Sequence, residues 1–459
     1  MTALRRTTLP VLALAAWLLA TGPAAGAHAM LRSSSPAVGA ALTRAPRQVV
    51  ITFTEAPEPT LSTIHVFDVH GRTVSGATTA VMGNPLQLRV PLRGLARGTY
   101  TVSWRTVSHD DGHVASGTFT FALNGRRTGT GAARSPATSA APPPSPSLPL
   151  LGVAGRWALY WALALLVGAA STGLFVLGTA QRRRLPVDSG LLLAPLLLGM
   201  LGLVAMIAAE HAAVGASLQT LLRAGAGRDV ARVALAFIPA ACATILLAAN
   251  PGSTRRLWLL GASASLAMLA LALGGHAAAP SSLRPLNLLA QWAHLVAVGV
   301  WIGGLAWLLA ALYRQDRAVQ IVAAVRFSRV ATLALAAVAV TGLERALSEL
   351  GSWHALFGSS FGRVLDLKVL LFGVLVAFGA HHHFRVVPAL PHEPDGLAVL
   401  RRGLRSELVV AALVLLATAS LSQLPPGSAT AASTPSPAPA HVQAVGSRPP
   451  TAAGSVPAQ

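Results

Sequence analysis

Eight apolar stretches, each close to twenty residues long, fill most of the chain beyond residue 150. They lie at about 157–179, 190–210, 230–249, 256–275, 288–311, 327–347, 364–384 and 406–424. That length matches the hydrocarbon thickness of a bilayer, roughly 30 Å, at the rise of an α-helix. Lipid offers no hydrogen bonds, so a spanning segment must satisfy its own backbone, and for runs of this length the α-helix is the solution. The sequence therefore predicts an all-α polytopic membrane bundle of about eight transmembrane helices over residues 150–426. Only 11% of residues are charged, against ~25% in a soluble protein, as a chain largely immersed in lipid requires.

The remaining charge is arginine-rich and patterned. The formal net charge is +20. A basic balance can mean nucleic acid, but these arginines gather at the ends of the apolar stretches, which argues for membrane orientation and against a nucleic-acid partner. With the N-terminal part outside, the inward joins hold Arg182, Arg183 and Arg184; Arg255 and Arg256; Arg314, Arg317, Arg326 and Arg329; and Arg385, Arg401, Arg402 and Arg405. The outward joins hold fewer, such as Arg223, Arg228 and Arg284. Residues 1–27 agree with that orientation. Arg5 and Arg6 form a basic start, Leu9 to Ala20 an apolar core, and Ala25-Gly26-Ala27 a cleavage site, which together read as a secretory signal. The expectation is a multi-pass protein of the cytoplasmic (inner) membrane with its N-terminal domain on the periplasmic side.

Residues 28–125 read as a small all-β sandwich or barrel. Val49–Thr54, Thr63–Asp68, Leu86–Val90, Thr99–Trp104 and Ser116–Leu123 alternate or run apolar, with Gly, Pro and Asn turns between them. Residues 126–149 are Ala/Pro/Ser/Thr/Gly-rich and read as a flexible linker, and 427–459 as a disordered C-terminal tail. The single cysteine, Cys242, permits no internal disulfide.

Cleavage after Ala27 exposes His28, whose amine and ring nitrogen can chelate one metal ion. About eighty residues on comes Ser108-His109-Asp110-Asp111-Gly112-His113. Asp111 and His113 share a face of an extended segment, and Glu55 ends the first clear strand as a further oxygen donor. Imidazole with carboxylate suits divalent copper in a tetragonal arrangement. An Asp-Gly-His run alone is an ordinary polar turn; the terminal histidine makes it a ligand pair. His65 and His70 read as solvated strand and turn residues, and His109 and Asp110 as weaker ligands.

The runs from His28 to Ala37, Val50 to Glu55, Trp104 to His113 and Ser116 to Phe121 resemble the periplasmic copper-binding CopC family over nearly all of residues 28–125. The resemblance implies a Greek-key β-barrel with a Cu(II) site of His28, Asp111 and His113, Glu55 matching a glutamate near the copper in some members. Other members hold Cu(I) on a methionine-rich loop, and this module has only Met30 and Met82. Gly274-Gly275-His276, Gln291 to Leu305, Phe361-Gly362-Arg363 with Lys368, and Arg401 through Glu407 to Pro426 resemble the CopD copper-resistance membrane family over roughly 150–426. That resemblance implies a CopC–CopD fusion associated with moving copper into the cell.

Ionisable residues inside spans usually face the bundle interior and function there. His294 lies within the fifth stretch, His276 ends the fourth, and Glu210 and His211 close the second, so His211, His276 and His294 form a candidate copper path. Met200, Met206 and Met268 read as lipid-facing or packing residues. Lys368 needs a partner, with Asp366 and Glu344 as candidates. His381, His382 and His383 point about 100° apart on a helix, so they read as interfacial cations rather than one metal trap. The expected function is copper binding outside the membrane and copper transport inward, with copper ions, the bilayer, and a reductant or copper chaperone as partners. No Walker sequence, phosphorylation motif or nucleophile–base array is present, so neither nucleotide nor catalysis is expected. The alternatives are a haem-binding redox bundle using His276 and His294, or a periplasmic copper buffer with a membrane anchor.

Overall fold

A computed structural model of the chain describes residues 31–109, 114–123, 150–178, 189–215, 217–223, 225–274, 283–350 and 360–424. Its N-terminal part is built from β1 (Leu31–Ser35), β2 (Ala41–Leu42), β3 (Gln48–Phe53), β4 (Thr63–Phe67), β5 (Thr79–Val81), β6 (Asn84–Pro91), β7 (Gly98–Val107) and β8 (Val114–Leu123). They form two four-stranded sheets, ordered β1-β3-β6-β5 and β2-β8-β7-β4. All ladders are antiparallel except the short β2–β8 pair. Period-two alternation decides which face is inside. Val49, Ile51 and Phe53 of β3 meet Ile64 and Val66 of β4, Val102 and Trp104 of β7, and Phe119 and Phe121 of β8 in one core. The Phe53 and Trp104 rings meet edge to face at 5.6 Å. Gly117 sits under the Trp104 indole, where a Cβ would fall 2.6 Å from the ring. After β4 the chain reverses at Gly71, whose φ of +77° excludes most side chains; Asp68 holds this turn by accepting from the His70 and Arg72 amides at 2.9 Å.

Eight helices long and apolar enough to cross a membrane follow: α1 Leu150–Val176, α2 Leu191–Ala213, α3 Gly227–Ala249, α4 Thr254–Ala272, α5 Arg284–Arg314, α6 Arg317–Ala346, α7 Phe361–Ala389 and α8 Gly396–Leu421. Several exceed the expected bounds. The apolar criterion stops at the first charges, whereas α5 to α7 continue through them at their ends. Helix α1 is the most enclosed, with 72% of its most apolar window buried. It packs on α2, α4, α5 and α8. Small residues make this possible. A Cβ on Gly168 of α1 would lie 2.5 Å from the Cα of Gly303 in α5, and one on Gly303 would collide with the Ala164 carbonyl. Gly155 and Gly202 bring α1 and α2 together in the same way. Helix α5 carries a π-turn at Gly299–Gly303, and α1 and α7 carry others at Thr172–Val176 and His382–Val386. Indole N–H groups find backbone carbonyls across the bundle: Trp157 to Ala412 at 3.0 Å, Trp307 to Leu165 at 2.8 Å, and Trp292 to Ser265 at 3.0 Å.

One end of the bundle is tied by arginine. Arg317 donates to the carbonyls of Leu390, Glu393 and Pro394 at 3.0–3.2 Å. The guanidinium carbons of Arg401 and Arg405 lie 5.1 and 5.4 Å from the Tyr313 ring centroid.

The Gly168–Gly303 crossing has a direct test. Gly303→Ala forces α1 and α5 apart and should lower the unfolding free energy by about 1–3 kcal/mol, read as a drop in the thermal midpoint in detergent. Gly373→Ala, whose Cβ meets nothing within 4 Å, should leave the midpoint level or slightly raised, since alanine favours helix over glycine. Equal melting of the two variants would contradict the packing argument.

Candidate functional site: a β-module edge and a membrane cavity

At one edge of the sandwich, the segment after β3 pairs with the end of β7. Pro57 bridges Ser108, the Glu58 amide donates to the Val107 carbonyl at 2.7 Å, and the His109 amide donates to the Ala56 carbonyl at 2.8 Å. Side chains repeat the tie. Ser108 Oγ donates to Glu55 Oε2 at 3.1 Å, and the His109 ring lies 3.0 Å from Glu58 Oε2, which also belongs to a carboxylate accepting from Thr60. Glu55 is thus half-buried and held against the start of the 109–113 segment. Burial works against the Glu58 charge, yet the His109 and Thr60 contacts outweigh it and hold the carboxyl below its ordinary value. His28, Asp111 and His113 lie outside the described residues. His65 and His70 are exposed. Among the described residues, no three His, Cys, Asp or Glu side chains gather in one place.

The bundle encloses two cavities that meet. The outer one, ≈ 200 Å³, is lined by polar groups from seven helices, among them Arg156, Glu210, Asp229, Gln291 and Arg345. The inner one, ≈ 320 Å³, is lined mostly by apolar groups such as Val298, Trp301 and Phe372. His294 of α5, Lys368 of α7 and Tyr160 of α1 line both. Lys368 is the only lysine in the chain.

The protonation of His294 follows from its neighbours. Its Nδ1 lies 2.9 Å from Thr341 Oγ1. That hydroxyl has one proton, donated to the Ala337 carbonyl at 2.6 Å. With that proton on the Ala337 carbonyl, the hydroxyl oxygen is an acceptor for an imidazole protonated at Nδ1, the tautomer in which Nε2 is the acceptor nitrogen. Of the other two residues on the expected membrane path, His211 is exposed beside Glu210 on α2, and His276 lies outside the described residues. Two residues beyond His211, the Ala213 carbonyl accepts from Arg105 of β7 at 2.7 Å.

The CopC domain family matches residues 31–124, and the family Copper resistance protein D matches residues 321–421. Copper transport protein CutJ of Bacillus subtilis (strain 168) is 27% identical over 435 residues, 90% of this chain and 76% of its own. Protein YobA of Escherichia coli (strain K12) is 35% identical over 105 residues, 22% of this chain and 82% of its own. The chain belongs to the CopC/CopD family. Among solved structures, CopC from Methylosinus trichosporium OB3b is 29% identical over 21% of this chain and 94% of its own, with a TM-score of 0.20. PcoC, a methionine-rich copper resistance protein from Escherichia coli, is 29% identical over 21% of this chain and 99% of its own, with a TM-score of 0.19. Thr341 and Lys368 fall inside the segment matched by Copper resistance protein D, and His294 precedes it.

In this CopC/CopD chain the three consecutive histidines differ from the interfacial reading. His382 is buried at 8% exposure and pairs through Nδ1 with Glu407 of α8, itself 2% exposed. Gly403 makes room, because a Cβ there would collide with the His382 ring. His383 Nδ1 meets Ser328 Oγ of α6 at 2.7 Å, and His381 is exposed. Each ring has its own surroundings, as the 100° step demands, and the middle one ties α7 to α8. The signal for this was Glu407, a lone carboxylate entering an apolar run one helical turn after Gly403.

The depressed Glu58 carboxyl predicts an acid response. Its ionised form stabilises the fold above the ordinary carboxylate range, and that contribution is lost as pH falls through the lower folded value. The protection of β7 amides, taken as the ratio of their unstructured to their observed exchange rate at each pH, should therefore fall as the pH is lowered, and Glu58→Gln should be less protected at neutral pH with a flatter acid dependence. An unchanged acid profile in Glu58→Gln would remove Glu58 from the account.

Proposed function

We propose that the chain takes up copper across the cytoplasmic membrane. The signal at 1–27 is removed, the β module captures Cu(II) on the extracytoplasmic side through His28, Asp111 and His113, and the helical bundle passes the metal inward. Glu55 borders the capture site as an auxiliary oxygen ligand. The observation that carries the reading is His294: an imidazole inside the bundle, anchored to Thr341 and placed where a polar cavity meets an apolar one. A relative named as a copper transport protein, alignable over 90% of the chain, supports the same reading for both domains together.

The parts fit that sequence of events. The Ser108–Glu55 and His109–Glu58 contacts fasten the root of the segment bearing Asp111 and His113. The linker at 126–149 reaches about 80 Å when extended, so the module stays at high effective concentration over the bundle. Arg105 against the end of α2 suits delivery at the outer cavity, where Glu210 and Asp229 offer negative charge to a cation. His211 and His276 serve as outer stations on this path. Nothing in the sequence drives the step with ATP, so the gradient of the ion, or a separate reductant or chaperone that removes it, supplies the direction. Arginine crowding at the opposite end favours that end as cytoplasmic.

Three outcomes are expected. His28→Ala, or a signal left uncleaved, should weaken Cu(II) binding by about a hundredfold or more, measured by competition with a chelator; unchanged affinity would refute the capture site. Thr341→Val, which removes the acceptor for His294 Nδ1, should slow copper accumulation about tenfold while leaving Cu(II) capture unaltered. Deleting the chain from its host should lower cellular copper, and re-expression should restore it. A rise in copper on deletion would instead mean export, and no change would mean a buffer.

A further inference from the structure

We infer that the inner cavity binds a lipid-soluble quinone, which enters from the bilayer between α6 and α7 and, as the hydroquinone, reduces copper on its way through the bundle. That purpose rests on the uptake reading; the site, its side entrance and the chemical class of the reductant are additions to it.

The entrance comes from how two consecutive helices part. Helix α6 packs chiefly on α5, and α7 chiefly on α8. At the arginine-rich end α6 and α7 meet: Ser328 touches His383 at 2.7 Å, and α6 packs on Val387–Ala389. That packing scarcely continues along Phe361–His381. Leu343 of α6 and Val369 of α7 line the inner cavity, and both are largely exposed, at 62% and 57%. A residue that lines a cavity and also faces out of the bundle stands at its mouth. In a membrane-spanning bundle that mouth opens to lipid, so what enters by it must dissolve in lipid. Among the described spans, α6 and α7 are also the least enclosed, with 28% and 22% of their most apolar windows buried.

The lining selects among lipid-soluble molecules. An acyl chain needs only apolar wall, whereas this cavity adds ring faces and a few polar groups, the pattern of a small-molecule site. Tyr160 of α1, Trp301 of α5 and Phe372 of α7 line it, the last two edge to face with centroids 6.1 Å apart. A flat ring packs well against such faces and edges. The Thr418 hydroxyl gives its proton to the Val414 carbonyl at 2.8 Å, so its oxygen is an acceptor, as is the second nitrogen of a His294 protonated at Nδ1. Both suit the hydroxyls of a hydroquinone. Lys368 keeps interactions of its own, yet an ammonium has three N–H donors and can also serve a quinone carbonyl. The redox step balances. The hydroquinone breaks two O–H bonds and gives two electrons in succession to two Cu(II) ions, leaving the quinone, two Cu(I) and two protons. His294, Tyr160 and Lys368 line both cavities, so a ring in the apolar one and an ion in the polar one share a wall. The protons leave on the polar side, past Glu210 and Asp229.

The test uses the full chain, purified in detergent and titrated with a decyl-substituted benzoquinone in a calorimeter. Val369→Trp fills the mouth from a lipid-facing position. Leu370→Trp, next to it, equally exposed and outside the lining, adds similar bulk to the same helix. Val369→Trp should weaken quinone binding about tenfold or more, while Leu370→Trp should match the parent, and equal thermal midpoints of the empty chains show that all are folded. Leu343→Trp, on the other lip, should act as Val369→Trp does. The second readout is the electron paramagnetic resonance signal of Cu(II) on the copper-loaded chain, followed without oxygen after the hydroquinone is added. The signal should decay about tenfold more slowly in Val369→Trp than in the parent or Leu370→Trp. Equal quinone binding or equal decay in all these chains would overturn the inference. So would a purified chain that binds phospholipid but no quinone, which would make the occupant an acyl chain. The two readings fail separately. If no quinone binds while His294→Gln stops copper uptake, the quinone site falls and the transport reading stands. If Val369→Trp blocks the quinone but vesicles holding the parent chain load no copper, the transport reading falls and the site stands.

Discussion

The bundle depends on a backbone-to-backbone contact between α1 and α5. Gly168 and Gly303 place main chain against main chain at a distance that no other residue permits. In lipid there is no hydrophobic effect to drive helices together, so close packing of this kind supplies the association. Its consequences reach the site. The contact coincides with the π-turn at Gly299–Gly303, and the same glycine-rich turn opens the space that Met268 enters. On the other side of α5, His294 is left facing the space between α1, α6 and α7. The cavity and its histidine therefore follow from three glycines and one helical irregularity.

The two halves of the chain solve different problems with different donors. The sandwich buries its core by alternation and ties Glu55 and Glu58 to Ser108 and His109 at one edge. In the bundle, Glu210 and Asp229 line the outer cavity, and His294 stands where that cavity meets the apolar one. At the far end, Arg317 satisfies three carbonyls and the His382–Glu407 pair joins α7 to α8. Such a buried pair is costly to break once formed, so this end is the fastened one.

Much of the fold was legible in the residue pattern because burial imposes a period. Val49, Ile51 and Phe53 alternate, and so do Phe119 and Phe121; each such run is a strand. Runs of about twenty apolar residues are spans. The strands that escaped were β1, β2 and β5. Leu31–Ser35 is mostly serine at a sheet edge, and the other two are only two and three residues long, so none carries enough apolar alternation to register. The site was legible in part. His294 stood out as an ionisable residue in lipid, but its tautomer depends on Thr341, forty-seven residues away, and on the Ala337 carbonyl one turn below that. Lys368 carried a signal in composition alone: a chain that uses arginine everywhere else keeps one ammonium, and keeps it at the cavity.

The central claim is that copper crosses the bundle by way of His294. The most direct measurement is radioactive copper entering vesicles reconstituted with the processed full chain, β module outward, under reducing conditions. The parent chain should load the vesicles well above protein-free controls, and His294→Gln of equal folded content should fall to the control level. Equal loading by both chains would contradict the account.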